Sequence, residues 1–174
     1  MIRFQFNESK AVEALVYVAQ QWPGITPFYL SKVLFFADRD HLRKYGRPVL
    51  GDNYIAMDDG PVPSRVYDIV KGNIDFFGDP AAIKAALRID RAAQPRKLFA
   101  EREPDTALFS ETDIAELSKA IDFCKGKSYG YLSNLTHNEE AWSSAPRNSV
   151  MELELLVPEE QREDVRETAA YAVF

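Results

Sequence analysis

Apolar positions recur with a helical period along most of this chain. Val12, Leu15, Val16 and Ala19 fall at i, i+3, i+4 and i+7, one stripe of a helix. Asn7 stands before them as an N-cap, and Trp22-Pro23-Gly24 ends them. Thr26-Pro27 opens a second helix, expected to run to Lys44 or Tyr45 and to stop at Gly46. At about 100° per residue, Leu30, Val33, Leu34, Ala37, His41 and Tyr45 share one face. Lys32, Phe36, Arg39 and Arg43 share a face roughly opposite.

The period lapses from Arg47 to Pro63. Tyr54-Ile-Ala-Met57 reads as a short strand, and Asp58-Asp-Gly-Pro-Val-Pro63 as a stiff turn with Gly60 free for positive φ. Helix resumes from Pro63 to Val70, with Val66, Ile69 and Val70 on one side. Asp79-Pro80 caps a helix over Ala81 to Leu87. Lys97 to Glu101 reads as an edge strand pairing with the Tyr54 strand. Ser110-Glu-Thr-Asp113 is a capping box for a helix reaching Lys125, with Ile114, Leu117, Ala120 and Ile121 inward and Gly126 at its end. A short helix follows from Tyr129 to Leu135. The last runs from about 159 to 172, with Val165, Ala169 and Ala172 inward.

The expected fold is mainly α: a single compact helical domain over residues 1–174, with a small β-hairpin or short antiparallel sheet. Composition agrees, since 46% apolar and 28% charged residues are what one soluble globular domain needs. Eleven Phe and eight Tyr make its core ring-rich. The net charge of -6 disfavours DNA or RNA, which call for a basic patch, and suits a basic protein partner. Cys124 is the only cysteine, so no disulfide and no cysteine-rich zinc site can form within the chain. No secretion signal follows Met1, and no apolar run reaches the ~20 residues of a membrane span, so a cytoplasmic location is expected.

Reacting groups are sparse. No phosphate loop and no Gly-x-Ser-x-Gly elbow occurs, and no cofactor is implied. Cys124, with Lys125 and Lys127 beside it, reads as packed core. Asp38, Asp40, His41, His137, Glu139 and Glu140 could meet at a metal only if the fold joined them. A hydrogen-bonded pair of Asp38 and His41, one turn apart, is the plainer expectation. No catalytic set and no metal site is assigned. The Lys32, Phe36, Arg39, Arg43 stripe has the residue types of a binding face, an aromatic anchor flanked by cations. A solvated face with one aromatic is the commoner arrangement of such residues, and the stripe could also pair with acids such as Asp58 and Asp59.

Lys32-Val-Leu-Phe-Phe-Ala-Asp-Arg-Asp-His-Leu-Arg-Lys-Tyr-Gly-Arg-Pro48 and Gly51-Asp-Asn-Tyr-Ile-Ala-Met-Asp-Asp-Gly-Pro-Val-Pro-Ser-Arg-Val-Tyr-Asp68 together resemble the Panacea domain of SocA-like antitoxins, also met in phage and mobile-element proteins. Leu108-Phe-Ser-Glu111, Leu132-Ser133, Thr136-His137 and Trp142 fit the second half, so the resemblance spans about residues 11–142. It implies an antitoxin of a two-protein toxin–antitoxin system. Such a protein binds a cognate toxin encoded by the adjacent gene, for example a small alarmone synthetase or another growth inhibitor. One family member is instead an adaptor delivering its toxin to a protease. No catalytic residue is implied. Asp38, His41, Tyr54, Gly60, Pro61, Pro63, Tyr67, His137 and Trp142 are signature positions, structural or binding, and the Lys32–Arg43 stripe is the candidate toxin contact. A protease adaptor, a DNA-binding autorepressor and, after them, a metal-dependent hydrolase using Asp38, His41 and His137 are the alternatives; self-association stands beside the toxin among the partners to be expected.

Overall fold

The computed structural model describes residues 1–171. The first helix, α1 (Glu8–Gln21), starts where Asn7 Oδ1 accepts the Lys10 amide at 3.0 Å. The second, α2 (Pro27–Tyr45), has its proline in the first turn and ends at Gly46 with φ 73°, the left-handed stop that glycine permits. A hairpin follows, β1 (Tyr54–Met57) and β2 (Gly60–Pro63), joined by Asp58-Asp59. Pro61 and Pro63 lie opposite Ala56 and Tyr54. Ala56 and Tyr54 spend their backbone bonds on Asn148, Ser149 and Met151, on the far side of β1. By the alternation of an antiparallel pair, the two prolines stand where no ladder donor is needed. The Gly-Pro-Val-Pro segment is therefore strand as well as turn.

Next come α3 (Ser64–Lys71) and α4 (Pro80–Ala86), the second capped by Asp79. A second hairpin pairs β3 (Leu87–Asp90) with β4 (Lys97–Ala100). Here the sequence expectation is corrected: the Lys97 strand meets Leu87–Asp90, not the Tyr54 strand. Leu87-Arg-Ile-Asp90 alternates apolar and polar residues, but over too few residues to stand out beside the helix before it. The capping box of Ser110 and Asp113 starts α5 (Glu111–Lys125) as expected. Three helices complete the described chain, α6 (Tyr129–His137), α7 (Glu140–Ser143) and α8 (Arg162–Tyr171). In α8, Val165 is buried and Ala169 half-buried, while Ala172 lies outside the described residues.

The fold is mainly helical, with two small antiparallel hairpins among the described residues. Helix α2 runs through its middle. One flank packs on α5 and the other on β2 and α6. Met151, Leu153, Leu156 and Val157, a stretch the helical period did not single out, are buried and close the core around α7. No helix among the described residues is long and apolar enough to cross a membrane.

Candidate functional site

Because both flanks of α2 are covered, its two faces are both interior. The expected solvent-facing stripe is not one. Lys32 is 1% exposed and Phe36 2%. Phe36 lies edge-on to Phe35 and Phe123, at 5.7 and 5.3 Å between ring centres. Arg39 sits over the Phe36 ring and pairs with Asp40 and Glu139, each at 2.7 Å. Arg43 reaches the same Glu139 at 2.7 Å and the Leu156 carbonyl at 2.6 Å. Both guanidinium groups thus tie α2 to the start of α7. Only Arg43 of the four keeps substantial exposure, 38% of its side chain. Tyr45, expected on the core face, is about half exposed at the helix end.

The signature residues of α2 also point inward. Asp38 does not pair with His41. Its Oδ1 accepts the amides of Val49 and Leu50, at 2.8 and 3.1 Å, and its Oδ2 accepts the Tyr54 hydroxyl at 2.7 Å. Burial pushes its pKa up to about 6 against those bonds. His41 is fully buried between the Arg47 carbonyl at 2.8 Å and Thr112 Oγ1 at 3.0 Å, with Asp113 at 3.2 Å. Burial lowers its pKa. Asp113 gathers Lys10 at 2.8 Å and Arg47 at 2.9 Å, so one buried carboxylate joins α1, the end of α2 and α5. Asp52 was not singled out by the sequence pattern. It caps α3 from twelve or more residues upstream, accepting Arg65 and Val66 amides at 3.1 and 3.0 Å, and burial raises its pKa to about 6. The signal was that Pro63, at the N-cap, has no side-chain acceptor.

His137 and Trp142 stack at 3.7 Å, and the Trp142 indole donates to the Met57 carbonyl at 3.1 Å. That stack braces the first hairpin from behind. Glu139, the acid near His137, is spent on Arg39 and Arg43. No group of three or more His, Cys, Asp or Glu that could hold a metal occurs among the described residues. Cys124 is buried, and burial pushes its thiol up to about 12, the opposite of a reactive thiolate.

What reaches the surface is a cleft of about 260 Å³ between the start of α2, the first hairpin and α3. Phe28, Met57, Val62 and Tyr67 wall it, Asp58 and Asp59 stand at the hairpin turn, and Lys32 lies beneath. The Lys32 ammonium donates to the Asp59 carbonyl and sits 4.9 Å from the Phe28 ring centre. Its pKa falls to about 8, because burial disfavours the charge. A Cβ at Gly60, whose φ is 108°, would collide with Lys32 Nζ and Thr136 Oγ1. Glycine there lets the hairpin close over the lysine. Beside the cleft, Tyr129 stacks on Phe28 at 4.2 Å, and the nearby Asp59 carboxylate raises the pKa of its hydroxyl. Tyr129 and Tyr131 are each about half exposed on the first turn of α6. Sequence reasoning missed this ledge. The alternation of Tyr, Gly, Tyr after the N-cap Ser128 was its only trace.

The class that this fold and site define is a mainly helical domain whose conspicuous polar groups serve its own backbone, with a ring-walled cleft and a tyrosine ledge at the surface. The model of the family described as antitoxin SocA-like, Panacea domain, matches residues 30–143, well over half of the chain, and the chain belongs to that family. Neither the curated proteins nor the solved structures yield a match.

Proposed function

We propose that this chain is the antitoxin of a toxin–antitoxin pair, and that it neutralises a cognate protein toxin by binding it directly. The observation that carries this reading is the family membership. Its matched span encloses every residue of the cleft named above except Phe28. The contact face we assign is the cleft with the ledge of Tyr129 and Tyr131. Exposed tyrosines against a ring-walled recess are the composition of interface hot spots. The stripe Lys32, Phe36, Arg39 and Arg43 supports that face from within: Lys32 holds the hairpin turn and Phe28, and Arg43 alone is placed to touch a partner.

Co-expression with the product of the adjacent gene tests the reading. Wild-type chain should restore growth and bind that product. Tyr129→Ala with Tyr131→Ala should weaken binding about tenfold or more, with circular dichroism unchanged and the melting temperature lowered only by the loss of the Tyr129–Phe28 stack, about 1 kcal/mol. A gene product that is harmless alone, or that still kills while bound, would end the antitoxin reading. Undiminished binding by the double variant would move the contact elsewhere.

A further inference from the structure

Among the described residues, strand β3 is hydrogen-bonded along one edge only. Ile89 lies opposite Leu98 of β4. Leu98 turns both backbone groups away from β3: its N–H donates to the Ile25 carbonyl and its carbonyl accepts from Gly24, each at 2.9 Å. Facing residues of an antiparallel pair either exchange both bonds or exchange none. Ile89 therefore also turns its N–H and C=O outward, to the side that carries no strand. The bond from the Glu101 amide to the Ala86 carbonyl, at 2.9 Å, fixes the same phase. Among the described residues nothing pairs with the outward groups of Ile89.

Along this edge runs a groove of about 520 Å³. Ile69, Ile74, Ile83 and Leu87, all buried, make its floor; the exposed Lys84 and Arg91 stand at its rim, together with Glu101, whose carboxylate is taken up by Arg88 at 2.8 Å. Arg91 donates to the Lys71 carbonyl at 2.9 Å and packs over Gly72, where a Cβ would collide with the guanidinium. Neither it nor Lys84 has a carboxylate within ion-pairing distance among the described residues. Residues 71–97 hold six lysines and arginines against three aspartates, in a chain of net charge -6. The groove is also continuous with the candidate face. Lys71 lies over the Tyr67 ring, a wall of the cleft, at 4.7 Å, so α3 is the ridge between the two recesses.

We infer that this groove takes an extended, acidic segment of a protein partner by strand addition to β3. The segment exchanges both main-chain bonds with Ile89, sets apolar side chains on the isoleucine floor, and offers carboxylates to Arg91 and Lys84. A short edge carrying charge also serves to prevent pairing. The groove beside this edge and its unpaired cations are what suit it to a specific strand. The inference rests on the reading that the chain binds a protein, and not on what the binding achieves.

The test uses the full-length, nitrogen-15-labelled chain and a capped peptide, Glu-Val-Glu-Ile-Glu-Val, with a Lys-for-Glu peptide as control. The Glu peptide should shift the Ile89 amide resonance and the Lys peptide should not. Arg91→Glu should weaken the Glu peptide about tenfold, the loss of one charge-assisted pair. Ile89→Pro should weaken it similarly, because it removes the outward N–H and leaves the bonds made by Arg88 and Asp90 to β4. Should Ile89→Pro unfold, Lys84→Glu supplies the second variant. An unmoved Ile89 resonance, equal binding of the Lys peptide, or unchanged affinity in Arg91→Glu would overturn the inference. Co-expression separates it from the antitoxin reading. If wild-type chain neutralises and Arg91→Glu neutralises and binds equally well, the groove falls alone. If wild-type chain fails to neutralise while the peptide shifts persist, the antitoxin reading falls alone.

Discussion

Phe36 is closed in by Phe35, Phe123 and the Arg39 guanidinium, so its replacement by alanine opens a cavity that those rings cannot fill by sliding. Phe36→Ala should cost about 3 to 5 kcal/mol, read as a lower urea midpoint. Asp38 and Asp52 make a prediction in pH. Each has a folded pKa raised to about 6 against a usual value near 3.8, so between those limits the folded chain holds protons the unfolded chain has released. Their contribution is therefore most favourable at the acid end and is lost as pH rises through the window. Glu13 and Asp113 act in the opposite sense, since their pKa values are lowered in the fold and their stabilisation is lost as pH falls. Asp38→Asn should thus flatten the fall of stability from pH 4 to 6, by up to about 1.4 kcal/mol per pH unit. Unfolding free energies of both proteins across that range check it; identical slopes would mean that Asp38 stays ionised throughout.

At the level of elements, Arg39 and Arg43 share Glu139, and the pairing holds α7 against α2. Arg39→Glu places two further repulsions beside Asp40 and Glu139. It should destabilise the chain by about 2 kcal/mol, and Glu139→Lys in the same chain should recover part of that. Thermal melts of the single and double variants read the coupling; additive losses would show the pair to be screened. The sequence pattern found α1, α2 and α5 because each has its own cap and stop in the chain. It misplaced the stripe on α2 for a physical reason. A helical wheel separates faces by hydropathy, and Lys32, Arg39 and Arg43 score as solvent whatever covers them. Lysine and arginine stems pack on rings while their heads find a carbonyl or Glu139, which no local pattern records. The β3 strand, the loop amides held by Asp38 and the cap by Asp52 escaped for the related reason that their partners lie 7 to 14 residues away.

Across the whole molecule, the family signature maps onto the interior and the lining of one cleft, while the exposed features lie outside the motif's fixed positions. Tyr129 and Tyr131 stand on α6, and Lys84, Ile89 and Arg91 on the α4–β3 segment. Phe36→Ala and the tyrosine double variant should therefore separate cleanly, the first lowering stability and the second lowering affinity. Enclosure of α2 has a consequence for how such a protein can diversify. A central helix whose middle turns are enclosed cannot be retuned there for a new partner without harming the fold for every partner. If the proposed contact faces hold, the exposed positions of the tyrosine ledge and of the second hairpin carry less of that burden, and a change of specificity would be written there a few residues at a time while the enclosed frame stays as it is.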